Sequence, residues 1–119
     1  MANVSQSVSA MLSIDGATAA AVVDSNSGMV LGKEGTGVNL DLAAAGNTEV
    51  VRAKLRTMRS LGLKDNIEDM LITLGTQYHI VRPIGDKPGL FAYLVLDRSK
   101  ANLALARHKV TEIESTMTI

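Results

Sequence analysis

The sequence predicts an α/β chain of the α+β kind, in the order αββαβββα, with a single five-stranded antiparallel sheet and helices on both faces. Three stretches carry that prediction. The alanine-rich run Ala17 to Val23 leads into the tight turn Asp24-Ser25-Asn26-Ser27-Gly28 and then Met29-Val30-Leu31, the pattern of a hairpin. Leu90 to Leu96 is apolar at every position, as in a strand that lies mid-sheet and is covered on both faces. Two segments of helical spacing, one from Asp41 to about Ser60 and one closing the chain, supply the covering layers.

Taken in order, Val4, Val8, Met11 and Leu12 recur at helical spacing and predict a short amphipathic helix that Gly16 ends in a left-handed cap. Ala17 to Val23 has residues that also suit a helix, but it is short and closes on a β-branched pair, so it reads as a strand. Gly28 supplies the positive φ that closes the hairpin. A strand built of alanines leaves little bulk on the sheet, so helices can approach it closely. Gly32-Lys33-Glu34-Gly35-Thr36-Gly37 reads as a flexible loop, Asp41 as the cap of the long helix, and Gly62 as its stop. On that helix Ala44, Val51, Leu55 and Met58 lie on one line, and Ala43, Val50 and Leu61 on a second about 90° away. This face is wider than one contact with a sheet requires, so a second helix is expected against the spare part.

Ile67 to Leu74 and Tyr78 to Val81 predict two further strands joined at Gly75-Thr76-Gln77, with Pro83 ending the second. Gly85-Asp86-Lys87-Pro88-Gly89 is a turn. Asp97 or Ser99 is expected to cap the last helix, whose buried stripe is Leu103, Ala106, Val110, Ile113 and Met117.

Bulk properties exclude several functions. The 119 residues fit one domain, 1–119, with no room for a second core, and an apolar fraction of 46% suffices to pack it. A formal net charge of zero gives no general attraction to nucleic acid or an anionic membrane. The chain has no cysteine, which removes disulfides and thiolate-bound metals and suits a reducing cytosol. No apolar run is long enough to span a bilayer, and Met1 to Gly16 lacks the pattern of a signal peptide.

No catalytic motif stands out. Gly28 and Gly32 have three residues between them where the nucleotide-binding loop needs four before its Gly-Lys pair, and Glu34 follows Lys33 where that loop needs Ser or Thr, so a plain surface loop is the better reading. The two histidines, His79 and His108, sit in no metal-ligand pattern; His79 reads as a strand residue and His108 as a solvated helix residue. No serine lies in Gly-x-Ser-x-Gly. The chain therefore reads as non-catalytic, with no cofactor and no metal. Arg52, Arg56 and Arg59 fall at i, i+4 and i+7 beside the apolar face of the long helix, a basic stripe able to meet an acidic surface or phosphates. Aromatics are few (Tyr78, Phe91 and Tyr93), so a packed core is favoured over the ligand pocket of a PAS- or GAF-like sensor.

From about Ala17 to Met117 the chain resembles the roadblock (dynein light-chain-like) domain, a profilin-like sandwich. The resemblance rests on the Asp24 to Gly28 hairpin, the helix around Ala43-Ala44-Ala45 and Val50-Val51, the strand Met70-Leu71-Ile72-Thr73, and Leu94-Val95-Leu96-Asp97 entering a helix. Without an extension at either end it is similar to the stand-alone bacterial or archaeal form. The family's strand order puts Ile67 to Leu74 at a sheet edge. Its acidic residues lie only at the start, before a β-prone apolar run, so the edge lacks the usual protection and suits pairing with a twin.

The resemblance implies a cytoplasmic homodimer, or a heterodimer with a related chain, in which long helices pair across a two-fold axis and third strands join two sheets. On this chain those positions are Ala44, Val51, Leu55, Met58, Met70, Ile72 and Leu74. It further implies a non-enzymatic regulator or scaffold for a Ras-like small GTPase, with Arg52, Arg56 and Arg59 facing the partner, and in bacterial members hydrolysis stimulated by reshaping the GTPase. The alternatives are a structural adaptor with no GTPase partner and a small-molecule sensor of the PAS or GAF kind.

Overall fold

The computed structural model describes residues 2–118. The order of elements is α1 (Val4–Leu12), β1 (Ala17–Asp24), β2 (Met29–Gly35), α2 (Leu40–Ser60), β3 (Met70–Thr73), β4 (Gln77–Pro83), β5 (Leu90–Asp97) and α3 (Leu103–Thr116). All strand pairs are antiparallel, in the spatial order β2-β1-β5-β4-β3. β5 is the middle strand, as its unbroken apolar run predicts, and Phe91 to Leu96 are all buried.

The pleat sorts the core into two layers. Ala20, Val22, Ile80, Leu94 and Leu96 point to one face and pack under α1 and α3 through Val8, Met11, Ala106 and Val110. Ala19, Ala21, Val23, Val81, Tyr93 and Val95 point to the other and pack under α2 through Leu40, Ala44 and Val51. Ala19, Ala20 and Ala21 of β1 are fully buried, and their small side chains let α1 and α2 sandwich the strand. Gly32 on β2 extends this close approach, because a Cβ there would lie 2.8 Å from Val4 Cγ1.

Four expectations are corrected. First, Gly32 to Gly35 is not loop but the second half of β2, paired to β1 through Val22↔Gly32 and Ala19↔Gly35. The pairing needs glycine: Gly35 has φ 108°, and a Cβ on it would meet Thr18 O at 2.3 Å. Second, α2 is capped by Asn39, whose side chain accepts from Leu42 N at 3.1 Å, and not by Asp41. Asp41 enters the first turn, where its charge suits the helix dipole and reaches Lys33 Nζ at 2.7 Å. Third, α3 is capped by Asn102, which accepts from Leu105 N at 3.0 Å, while Asp97 binds Ser99 in the preceding turn. Fourth, β3 spans only Met70–Thr73, so Ile67 to Asp69 and Leu74 lie outside it. Asp69 pairs with Arg107 of α3 at 2.9 Å, and Glu68 O accepts from Arg82 at 3.3 Å, which draws this segment off the ladder. β4 is longer than expected at both ends, Gln77–Pro83.

Two polar clusters fix the β4 side of the sheet. Arg82 Nε donates to Glu114 Oε2 at 2.5 Å, and Glu114 Oε1 accepts from Gly85 N at 3.0 Å, so α3 is tied to β4 and to the turn that follows it. On the α2 face, His79 Nε2 lies 2.9 Å from Gln77 Oε1, and His79 Nδ1 lies 3.0 Å from Tyr93 Oη. The Gln77 oxygen only accepts, so Nε2 carries a proton, and in the neutral ring Nδ1 accepts from the Tyr93 hydroxyl. Burial pushes the ring's pKa below the ordinary value, which favours the neutral form. Burial raises the Tyr93 pKa, and Asn47 of α2 acts in the opposite sense.

Gly35→Ala is expected to cost at least about 2 kcal/mol in urea unfolding, through positive φ and the clash with Thr18; a change under about 0.5 kcal/mol would contradict the pairing described. For His79, the unfolded ring binds its proton at higher pH than the folded one. Its contribution is thus present above about pH 6.5 and is lost as pH falls through the lower folded value. Calorimetric melting from about pH 7.5 to about pH 5 should show a steeper loss of Tm for the wild type than for His79→Gln. Parallel curves would show that the neutral ring does not matter to the fold.

Candidate interaction surface

The interior offers little to a small ligand. A space enclosed by Met11, Ile84, Ala92, Val110, Ile113, Glu114 and Met117 measures only about 10 Å3, near the minimum for one water. Among the described residues no group of three His, Asp or Glu side chains is placed to hold a metal, and no helix is long and apolar enough to cross a membrane. His79 is occupied by Tyr93 and Gln77, and His108 pairs with Glu112 at 2.7 Å on the exposed side of α3.

The surface, by contrast, is uneven. The α1/α3 face of the sheet carries two helices and the other face only α2. α2 lies over β1 and β2, at one side of the sheet. β3 is the edge strand on the opposite side. Met70 pairs with Val81 and Ile72 with His79, and Val81 belongs to the α2-side core, so Met70 and Ile72 point to that same face. Ile72 is 38% exposed and Leu74 41%; on α2, Val50 is 41% and Leu55 39% exposed. Leu61 is still more open.

The residues expected at a seam between copies divide on this geometry. Ala44, Val51 and Met58 are buried, and Ala44 and Val51 pack on the chain's own sheet, so they have no surface to offer a partner. Leu55 is half open, and Met70, Ile72 and Leu74 lie together at the β3 edge. The second apolar line of α2, through Val50 and Leu61, is the one turned outward. Buried Thr48, whose hydroxyl donates to Ala44 O at 2.7 Å, was the missed signal. It lies on the sheet side of the helix, and a sequence reading that follows only apolar residues passes over it.

The two sheet edges differ in protection. β2 carries Lys33 and Glu34, and Leu31 is left over where the register shifts between Val22 and Val23, a bulge of the kind that blunts an edge. β3, with sequence MLIT, has neither proline nor charge.

The arginine stripe is exposed along its length. Arg52 is partly spent: its Nη2 donates to Asn26 O of the hairpin at 2.8 Å, and its Nη1 lies 3.5 Å from Glu49. Arg56 and Arg59 have no ion pair among the described residues.

No protein-family model and no curated protein sequence matches the chain. Solved structures do. A roadblock/LC7 domain from Streptomyces avermitilis superposes with a TM-score of 0.82 at 14% identity, over 97% of this chain and 94% of that one. MglB of Myxococcus xanthus superposes with a TM-score of 0.82 at 13% identity, over 94% and 89%. An MglB of tetrameric arrangement superposes with a TM-score of 0.69 at 18% identity, over 92% and 85%. At such identities the agreement is one of fold, and the fold of this chain, five antiparallel strands with α2 on one face and α1 and α3 on the other, is that of a roadblock/LC7 domain.

Proposed function

We propose that the chain is a non-catalytic, self-associating regulator of a Ras-like small GTPase. The observation that carries the reading is the partly covered sheet face, where Val50 on the outward line of α2 and Ile72 and Leu74 beside an unguarded strand edge are all exposed. A second copy closes that face if its own α2 fills the gap and its β3 pairs with this β3. The likeness to MglB, including an MglB of tetrameric arrangement, supports self-association. The GTPase rests on the resemblance of the hairpin, long helix and third strand to roadblock regulators. The revised seam comprises Val50, Leu61, Met70, Ile72 and Leu74, while Leu55 faces the other flank of α2.

Arg56 and Arg59 are the partner-facing cations, because each is exposed and free to pair, and Arg52 contributes less because the hairpin holds it. A homodimer presents this stripe twice.

The test is affinity capture from host lysate with the tagged chain, run in parallel with GDP and with a non-hydrolysable GTP analogue. A Ras-like GTPase recovered preferentially with the GTP analogue, and lost with Arg56→Glu/Arg59→Glu, is the expected result. Equal recovery in both nucleotide states points to an adaptor, and recovery of no GTPase in either removes the GTPase from the account.

A further inference from the structure

A groove of about 320 Å3 runs under the C-terminal half of α2, at the end of the sheet where β1 ends and β5 begins. Apolar side chains line much of it, Val51 and Leu55 from α2, Ile67 from the segment before β3, and Ile84 and Phe91 from β4–β5, beside Ser25, Asp65 and Asn66. Its volume is at the small end for a ligand site, room for one large side chain with its neighbours rather than for a cofactor.

The rim beside α2 is basic. Leu55 faces the groove, and its neighbours on that side of the helix are Arg52 at i−3 and Arg59 at i+4, with Arg56 one step further out. Arg52 is held at the rim by its bond to Asn26 O, next to the groove-lining Ser25. Between Val50 and Lys64 the chain carries Arg52, Lys54, Arg56, Arg59 and Lys64 and no acidic residue, although the whole chain is neutral. The one acid on the groove is Asp65 on the far wall, whose carboxylate accepts from the Asn66 amide.

We propose that this groove docks an acidic peptide segment of a protein partner. One leucine or aromatic side chain enters between Leu55 and Ile67 onto Phe91, and flanking aspartates or glutamates lie along Arg52, Arg59 and Arg56. Charge complementarity selects the sequence and the apolar slot fixes its register. The slot is recessed beside the helix, which fits an inserted side chain and not a flat lipid surface. The inference rests on the reading of the chain as a partner-binding regulator and adds the chemistry of the partner.

The test is selection of random dodecapeptides displayed on phage against the full chain, followed by fluorescence anisotropy with the labelled consensus peptide. The expected consensus is a leucine or aromatic residue flanked by aspartate or glutamate. Arg59→Glu should weaken binding roughly tenfold or more, rising ionic strength should weaken it, and Lys109→Glu on α3 should leave it unchanged. Leu55→Asp should abolish binding; because Leu55 is partly packed, its melting curve is checked, and the fully exposed Arg59 variant decides if it unfolds. A consensus without acidic excess, no enrichment, unaltered affinity of Arg59→Glu, or binding only to phosphatidylserine-containing vesicles would overturn the proposal. The readout contains no GTPase, so acidic peptides selected after a failed GTPase capture keep the groove and remove the GTPase, and the reverse pattern keeps the GTPase and removes the groove.

Discussion

A five-stranded sheet is about 24 Å across, because neighbouring strands lie about 4.8 Å apart. A helix with its side chains is about 10 Å wide. Two helices therefore suffice to cover one face, and one helix does not. The chain places α1 and α3 on one face and α2 alone on the other, over β1 and β2. The β4–β3 side is covered only in part: Val81 is buried and Met70 half-buried, while Ile72 and Leu74 are exposed. Much of the surface chemistry follows from that shortfall: the exposed Ile72 and Leu74, the outward line of α2 through Val50 and Leu61, and the unguarded β3 edge.

The shortfall is an arrangement and not a lack of packing. β1 is buried on both sides because alanines at 19, 20 and 21 let α1 and α2 close on it, and Gly32 and Gly35 let β2 follow the same path. Drawing α2 to that side leaves Tyr93 and His79 at the boundary between covered and bare sheet. There the Tyr93–His79–Gln77 chain satisfies polar atoms that an apolar core would leave unpaired. On the opposite face, Arg82–Glu114 and Arg107–Asp69 tie α3 to the β4–β3 side. That side is thus fixed from behind and open in front, as a docking surface needs to be.

The order of elements, the antiparallel sheet and the central place of β5 are legible in the sequence, because apolar runs and glycine turns report directly on burial and chain reversal. What is not legible involves partners distant in the chain. Gly32-Lys33-Glu34-Gly35 has no strand-forming residues of its own and pairs only because Ala19 to Val22 lies beside it. Asp41 and Asp97 are chemically sound caps, and only the backbone shows that Asn39 and Asn102 hold those positions. Both apolar lines of α2 are visible, but not which one meets the sheet, so Ala44 and Val51 are placed at a seam when they belong to the core. The groove joins Ser25, Val51, Ile67 and Phe91 from four separate stretches, and no local pattern announces it.

The most direct measurement of the central claim is the solution mass of the chain by sedimentation equilibrium, for the wild type and for Ile72→Lys/Leu74→Lys. Both residues are exposed in the single chain, so lysine there leaves its fold intact. A wild-type dimer, or a larger even assembly, reduced to monomer by the two lysines is the result that follows from a sheet face closed by a second copy. A wild-type monomer at all concentrations, or a dimer whose mass the lysines leave unchanged, would contradict it.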